Sequence, residues 1–504
     1  MTPSTPRTLR TASREVMKIL VVSNMYPSAH HPVGGIFVHE QVKALRAAGA
    51  DVRVVTGRPL WLSGRRPRHA FRLFRHELGE RRRRPEWTSH DGVPLIEFPY
   101  FAGALARPWM YSWIYRSGLA ARLAWIAADF PYDLVHSHTA FLDGRAAAAA
   151  AAHRSAPMVL TEHTGPFSIV TDKPLYRMHT LAGMKAADRI VAVSGALKKE
   201  IVTRLPEIVP TRIDVVPNGV DTRFFDPDRE MPAAEEGLYG MSWPELLGRA
   251  RQELILSDFI VGLREGFRRV GDRAVTGDDL AHIVELATLN GIGEGPLRDT
   301  PADGALPRPE AAETAEARID VLWVGHLVSV KRVDRLLEGF AIARRRAPRL
   351  RLRILGGGEL EQALRAQTKA LGIEAFVAFL PSADRQGVRR EMERADFLVI
   401  SSETETFGVV GVEAMAMGLP VLATDCGGPA EYVTNGSYGE RVGLSAEDIA
   451  IGLQRMASRI DGFDGERIRA HAVANFEFAR IAERLLGIYS ELLATQTART
   501  ARPH

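Results

Sequence analysis

The 504-residue sequence contains a single cysteine, Cys426. One thiol excludes an internal disulfide framework and a cysteine-based metal site, and it is typical of a reducing cytoplasm. No apolar run approaches the roughly 18 residues of a membrane span, since LAARLAWIAADF is interrupted by Arg122 and Asp129. Residues 1–16 lack the apolar segment of a secretory signal, so we expect a disordered extension there. These absences predict a cytoplasmic protein, either soluble or peripheral at the inner face of the membrane.

Positive charge is concentrated in one segment although the net charge is only +4. Between Arg58 and Arg84 there are ten arginines and two acids, with Trp61, Phe71 and Phe74 interleaved. A solvated basic loop is the simplest interpretation. Attraction to anionic lipid headgroups is the functional alternative. No nucleic-acid-binding motif accompanies the segment, so we expect no nucleic-acid partner.

Two stretches of the chain alternate β-rich runs with helical ones. The first, residues 17–225, includes the runs KILVVSN, DLVHSH, MVLTEH and RIVAVS, and the second, residues 319–480, includes DVLWVG, LRLRILGGG, DFLVIS and PVLATD. Strands that alternate with helices indicate parallel, doubly wound sheets. The sequence therefore predicts an α/β protein with two Rossmann-like domains that face a central cleft, followed by a C-terminal helix and tail over 481–504.

Residues 228–318 do not fit this alternation. They contain helix signals, such as the capping box from Ser242 to Glu245 and the segment from Thr276 to Gly291. A Gly-, Pro- and Ala-rich stretch follows and is typical of a linker. We expect a helical insert between the two domains, with a role that the sequence does not define.

The stretch SETETFGVVGVEAMAMGLP places two acids around a glycine turn. The strand DFLVIS ends before it, Gly408 permits a tight turn, and a helix ending at Gly418 follows. The N–H groups and the dipole of that helix N-terminus favour a phosphate or diphosphate. Glu405 on the loop and Glu413 one to two turns into the helix are suited to sugar or ribose hydroxyls. The segment thus predicts a site for a nucleoside-diphosphate sugar.

The motif ETFGVVGVE, with two acids separated by seven residues, resembles that of retaining glycosyltransferases with the GT-B fold. The segments GHLVSVKRVD, VVPNGVD, ADRIVAVSGALKKEI and NMYPSAHHPVGGIF are similar, in the same order, to segments of glycosyltransferase family 4. The resemblance covers roughly residues 17–225 and 319–440. It implies a hexosyl- or related transferase that uses a nucleotide-sugar donor and a glycan or lipid-linked acceptor in polysaccharide or glycoconjugate synthesis. It also implies retention of configuration and no cofactor.

The resemblance also implies roles for single residues of the C-terminal half. Glu405 would contact donor-sugar hydroxyls and Glu413 the ribose, while Lys331 would neutralise the diphosphate leaving group. The backbone of the loop and helix N-terminus would contact the diphosphate and sugar, through Thr406, Phe407, Gly408, Val409 and Val410.

From the N-terminal half, the resemblance implies that His163 faces the donor sugar. Gly34 and Gly35 would lie on the loop that approaches the phosphate or the acceptor. One position departs from the family, because His326 stands where an arginine is usual. A neutral histidine lacks both the fixed charge and the bidentate fork of arginine.

Two other functions share parts of this pattern. A sugar-nucleotide epimerase has the same architecture and diphosphate site but needs no acceptor, and a non-catalytic sugar-nucleotide binder would explain His326. A nicotinamide oxidoreductase is disfavoured because, in LGGGELE, Glu361 stands where the last glycine of a G-x-G-x-x-G fingerprint would be. His136 and His138 lie two apart on one strand and face the same side, but no third ligand is apparent. With no Asp-x-Asp near a strand end either, the sequence predicts no metal site.

Overall fold

Two mainly parallel β-sheets, each covered by helices, make up the computed structural model of the protein. The structure describes residues 16–27, 35–62, 83–103, 110–229 and 318–500, together with the isolated residues 71, 75, 77 and 79. The first sheet has eight strands and the second has six. The expected fold class, two Rossmann-like units, is confirmed.

The first sheet has the strand order β3-β4-β2-β1-β5-β6-β7-β8. Neighbouring strands are parallel, except that β3 pairs antiparallel with β4. Its strands are Lys18–Val22 (β1), Asp51–Leu62 (β2), Thr88–His90 (β3), Val93–Gly103 (β4), Leu134–His138 (β5), Met158–Glu162 (β6), Arg189–Ala192 (β7) and Ile213–Val215 (β8). The central strands β1, β5 and β6 are buried on both faces, as expected for a parallel sheet between helices.

In the described ranges up to residue 229, six α-helices accompany the first sheet. They are Ile36–Ala47 (α1), Tyr111–Ala120 (α2), Leu123–Asp129 (α3), Asp143–Arg154 (α4), Pro174–Ala186 (α5) and Gly195–Arg204 (α6). Helix α4 packs between α2 and α5 on one face of the sheet. Its alanines permit this close packing, and Ala146, Ala147 and Ala150 are fully buried.

The second sheet has the order β11-β10-β9-β12-β13-β14 and is entirely parallel. Its strands are Ile319–Val324 (β9), Leu350–Leu355 (β10), Val377–Leu380 (β11), Phe397–Ile400 (β12), Val421–Thr424 (β13) and Gly439–Val442 (β14). The helices along this part of the chain are Val333–Arg344 (α7), Glu361–Ala370 (α8), Arg385–Glu393 (α9), Val409–Ala416 (α10), Ala446–Arg459 (α11), Gly465–Phe476 (α12) and Phe478–Thr500 (α13). The predicted runs RIVAVS, DVLWVG, LRLRILGGG, DFLVIS and PVLATD each contain a strand of the structure.

The last helix returns to the first sheet. Helix α13 packs against α1, and its buried residues Ile481, Leu485 and Tyr489 belong to the core formed by one face of that sheet. Just before α13, Glu477 forms an isolated parallel β-bridge with Val220 of the N-terminal half. The C-terminal helix therefore ties the end of the chain to the N-terminal half, which the sequence did not predict.

Several predictions fall on residues outside the described ranges. These are the disordered extension over 1–16, nearly all of the helical insert over 228–318, and Gly34. The predicted domain boundaries stay predictions. The strands Thr88–His90 and Val93–Gly103 extend the first sheet and were not predicted, because their sequence alternates only weakly and follows the arginine-rich segment. In the ranges that the structure describes, no helix is long and apolar enough to cross a membrane.

Candidate active site

Lys331 and Glu405 form an ion pair between two loops at the carboxyl edge of the second sheet. Lys331 follows β9, and Glu405 follows β12, the strand beside it. The Lys331 ammonium donates a short hydrogen bond to Glu405 Oε1. The same oxygen accepts a hydrogen bond from Ser402 Oγ at 2.8 Å. The carboxylate, which is only 14 % exposed, is therefore held in one orientation.

The turn before α10 requires glycine. Gly408 adopts a left-handed conformation, with φ of 77°, and its carbonyl accepts a hydrogen bond from Tyr432 Oη at 2.7 Å. A Cβ atom on Gly411 would lie 2.3 Å from the same Tyr432 oxygen. No side chain caps the helix N-terminus, so the first-turn N–H groups around Val409 and Val410 face outward. The predicted anion site thus consists of a left-handed glycine turn and an uncapped helix N-terminus, and anion binding there stays a prediction.

Glu413 is half-buried in α10. Burial raises the pKa of Glu413 to about 7, and the nearby Arg385 opposes this rise. Arg385 lies at the start of α9 and also contacts Glu40 of α1 at 3.5 Å, across the cleft. Arg385 is a residue of the site that the sequence analysis missed. No local pattern relates it to Glu413, since the two are brought together only by the fold.

His163 approaches from the first sheet. It follows β6, and its Nε2 lies 3.1 Å from Nδ1 of His138, the last residue of β5. The buried Glu162 carboxylate accepts the His163 and Thr164 N–H groups at 2.9 and 2.8 Å and fixes the loop. Burial lowers the pKa of His163 to about 3, against a smaller opposing effect of a hydrogen bond with Asn218. His163 is therefore a neutral hydrogen-bonding group at neutral pH.

The two halves meet where these loops face one another. Thr406 Oγ1 donates to the His163 carbonyl at 3.3 Å, and Ala196 N–H donates to Glu431 at 2.9 Å. A cavity of about 580 Å³ lies between them. Residues of both halves line it, among them Pro166, Ala196, Glu200, Val330, Glu405 and Thr406. The volume is within the range of small-molecule sites, roughly 300–1,000 Å³.

The remaining predicted residues lie on loops that follow strands of the two sheets. His326 follows β9 and is exposed, and its backbone begins the turn that leads to Lys331. Phe407 is buried below the loop. Gly35 ends the first loop with φ of 69°, where a Cβ atom would lie 2.1 Å from the Met25 carbonyl oxygen. Glycine is therefore the residue that permits this close approach.

The structure brings together Glu405, Lys331, Thr406 and the α10 N-terminus and places His163 opposite them. It adds Ser402, His138 and Arg385, which sequence reasoning missed. Ser402 stands three residues before Glu405 in the quoted loop, so its spacing was available as a signal. In the described part of the chain, no group of three or more His, Cys, Asp or Glu side chains is arranged to hold a metal ion.

Both halves match known protein families. Residues 34–224 match the model described as Glycosyltransferase Family 4, and residues 309–457 match the model described as Glycosyl transferases group 1. Together the two ranges cover well over half of the chain.

Curated relatives carry related descriptions. The D-inositol 3-phosphate glycosyltransferase of Nocardia farcinica is 32% identical over 228 residues, which are 42% of this chain and 50% of that protein. The alpha-maltose-1-phosphate synthase of Mycolicibacterium smegmatis is 24% identical over 410 residues, 75% of this chain and 85% of that protein. This chain thus matches about half the length of the inositol-phosphate enzyme.

Solved structures share the fold. The Anabaena protein HepE in complex with UDP superposes with a TM-score of 0.57 and 17% identity, covering 94% of this chain and 100% of that one. Sucrose-phosphate synthase from Thermosynechococcus elongatus gives a TM-score of 0.60 with 18% identity, covering 95% and 100%. At this identity the likeness establishes the GT-B fold alone.

Proposed function

The chain belongs to glycosyltransferase family 4, and on that premise we propose that it is a retaining hexosyl- or related glycosyltransferase. It takes a sugar from a nucleoside-diphosphate donor and passes it to a glycan or lipid-linked acceptor. The observation that carries the proposal is the Lys331–Glu405 pair beside the uncapped N-terminus of α10. A cation, a free helix N-terminus and a carboxylate at one edge suit a diphosphate joined to a sugar.

The donor would lie along the carboxyl edge of the second sheet. Its diphosphate binds at the α10 N-terminus and Lys331, and its ribose hydroxyls donate to Glu413. Glu405 accepts hydrogen bonds from the transferred sugar. His163, held by His138 from the opposite side, contacts the same sugar.

In the proposed mechanism, catalysis depends on stabilising the negative charge that develops on the leaving diphosphate. As the bond between the anomeric carbon and the diphosphate breaks, negative charge grows on the phosphate oxygens. A fixed ammonium and oriented N–H groups stabilise that charge more in the transition state than in the bound donor. No residue opposite the leaving group is an evident nucleophile, so we propose that the acceptor hydroxyl attacks from the side of the departing diphosphate and passes its proton to a phosphate oxygen. The configuration at the anomeric carbon is retained, and Lys331 takes the place of a divalent metal.

Donor binding is the first test. Titration calorimetry with UDP- and GDP-sugars in EDTA should show binding, and we begin with UDP-sugars because the fold relative HepE was solved with UDP. Strict dependence on Mg²⁺ or Mn²⁺ would remove the metal-independent mechanism. Incubation of labelled donor without acceptor separates an epimerase from a transferase, because only an epimerase converts the sugar alone.

Stereochemistry is the second test. NMR of the first-formed product should show the anomeric configuration of the donor. An inverted linkage contradicts the retaining mechanism. The Lys331→Ala variant, with the leaving-group cation removed, is the matched control for slow chemical hydrolysis of the donor.

We propose that the enzyme meets its acceptor at the inner face of the cytoplasmic membrane, in polysaccharide or glycoconjugate synthesis. The arginine-rich segment from Arg58 to Arg84, most of which lies outside the described residues, supports this, and Phe71 within it is 62% exposed. Sedimentation with anionic vesicles should be strong at low salt and weak at high salt, because salt screens charge within about 10 Å at 0.1 M. Equal pelleting with neutral vesicles contradicts the proposal.

A further inference from the structure

Arg145 is a half-buried arginine in the first turn of α4, at the cleft edge of the first sheet. Helix α4 begins a few residues after His138, which ends β5 and contacts His163. In the part of the chain that the structure describes, no carboxylate forms an ion pair with Arg145. A partly buried guanidinium without an anion is costly, and a bound anion would offset that cost.

Two aromatic side chains hold this guanidinium in place. Arg145 Nη1 lies 3.3 Å from Nδ1 of His179, a fully buried residue of α5. Because arginine carries only donors, the Nδ1 atom accepts and the ring is the neutral tautomer with its proton on Nε2. Trp113 of α2 lies under the guanidinium at 5.9 Å and meets the His179 ring edge-on at 5.2 Å. One of its five donors is thus used for orientation, and among the described residues the others have no hydrogen-bond partner.

Arg116 is close to Arg145, and Lys173 lies at the start of α5, the helix that packs against α4. Burial, and then the neighbouring Arg116, lower the pKa of the Arg145 guanidinium. Lys173, just before α5, lies over the Tyr176 ring at 5.6 Å, and Tyr176 stacks on Phe141 of the loop before α4. Among the described residues, no ion pair with a carboxylate joins Arg116 or Lys173 either.

The acids close in sequence are engaged elsewhere. Asp172, next to Lys173, is paired with Arg204 at 2.6 Å. Asp143, two residues before Arg145, is fully buried and accepts hydrogen bonds from Asn24 N–H and Thr139 Oγ1. Burial also raises the pKa of the Asp143 carboxyl. The positive charge at the start of α4 is therefore left without local compensation.

We propose that Arg145, oriented by His179 and Trp113 and with Arg116 close by, binds a phosphate group of the acceptor. The inference rests on the proposed function, because it places the acceptor at the first sheet. Loops after parallel strands share the carboxyl edge, so the site lies on the same edge as His163. A dianionic phosphate matches the two arginines, Arg145 and Arg116, and an arginine fork binds it in a bidentate manner. The phosphate would anchor the acceptor while its hydroxyl reaches the donor sugar.

Phosphate binding by the full chain tests the site directly. Binding of inorganic phosphate and glycerol 3-phosphate is measured by ³¹P NMR with the Lys331→Ala variant, in which the donor diphosphate site is weakened. Adding Arg145→Gln should weaken binding by about tenfold or more, as expected for a lost charge-assisted bidentate contact. Arg154→Gln, which removes an exposed arginine from the last turn of the same helix, is the matched control and should change binding less than twofold, within measurement error. Equal loss in both variants, or none in Arg145→Gln, overturns the proposal.

Two sources of the phosphate are then distinguished. Vesicles of phosphatidylcholine with added phosphatidic acid present the group on a lipid, and glycerol 3-phosphate presents it in solution. Arg145-dependent binding to the vesicles assigns a lipid-linked acceptor, and Arg145-dependent binding of the soluble ester alone assigns a soluble one. Donor calorimetry with the Arg145→Gln variant should equal that of the unaltered chain. If no nucleotide sugar binds at all, the proposed function fails even though phosphate binding through Arg145 persists.

Discussion

His138 Nδ1 and His163 Nε2 lie 3.1 Å apart, with their rings nearly parallel at 13°. Burial lowers the pKa of both side chains, so at neutral pH one ring donates and the other accepts a single hydrogen bond. His138 therefore selects which nitrogen of His163 carries the proton and which way its ring faces the cleft. We regard His138 as a positioning residue for His163.

Substitution of His138 should impair transfer through His163. In His138→Phe the ring remains but the hydrogen bond is lost, and we expect kcat to fall about five- to tenfold with little change in donor affinity. His138→Gln, whose amide supplies a donor and an acceptor, should recover part of the rate. Initial rates at saturating donor measure this.

His136 supplies the control for a purely structural effect. It lies on the same strand but bonds to Tyr489 of α13 and to Thr161, each at 2.8 Å. His136→Phe should lower the melting temperature while kcat of the folded enzyme stays near that of the unaltered chain. If both phenylalanine variants lose kcat in proportion to melting temperature, His138 has no positioning role.

The Lys331–Glu405 pair predicts a coupled effect on donor binding. Lys331→Ala removes the diphosphate cation and leaves the Glu405 carboxylate unpaired, so we expect donor affinity to fall and kcat to fall by about 10²- to 10³-fold. The double variant Lys331→Ala with Glu405→Ala should bind donor more tightly than Lys331→Ala, because the unpaired charge is gone. Calorimetry of the four proteins gives the coupling, expected at about 1–3 kcal/mol for residues in contact. Additive losses would show that the pair does not act as a unit.

Most of the architecture and the loop motifs of the site could be predicted from the sequence. Buried strands followed by glycine turns and helices are local patterns, so the positions of Glu405 and Gly408 at one sheet edge followed from them. The role of Lys331 was implied by the family resemblance. The partners of His163 and Glu413 could not be predicted from local patterns. His138 meets His163 because β5 and β6 are adjacent strands, and Arg385 at the start of α9 comes near Glu413 of α10. Such contacts depend on tertiary packing, which no short segment encodes.

Donor affinity should depend on pH through Glu413, whose pKa burial raises to about 7. A carboxylate accepts hydrogen bonds from both ribose hydroxyls, whereas its protonated form is a poorer acceptor, so the donor selects the ionised form. Binding near pH 7 should therefore release a proton, and affinity should be about tenfold weaker at pH 6 than at pH 8. Calorimetry in buffers of different ionisation enthalpy measures the proton.

Glu413→Gln is the matched control for this pH dependence. It keeps the size of the side chain but cannot titrate, so its affinity should be lower at pH 8 and flat from pH 6 to 8. A nucleotide sugar has no phosphate group that titrates in this range, so the ligand does not contribute. Persistent proton release in Glu413→Gln would assign the effect to another group.

Acid should destabilise the N-terminal half through its buried histidines. Burial lowers the pKa of His136 and His163 to about 3 and holds that of His138 well below its usual value. In the unfolded chain each takes up a proton near pH 6.5, so stability is complete above that pH and is lost as pH falls toward 3. The slope should reach about 1.4 kcal/mol per pH unit for each histidine.

Because the raised pKa of Glu413 contributes to stability with the opposite sign between about pH 4.5 and 7, urea denaturation is best compared in the Glu413→Gln background. Adding His138→Gln should then reduce the slope between pH 6 and 4 by the share of one histidine, and an unchanged slope would show that His138 takes up its proton in the folded state.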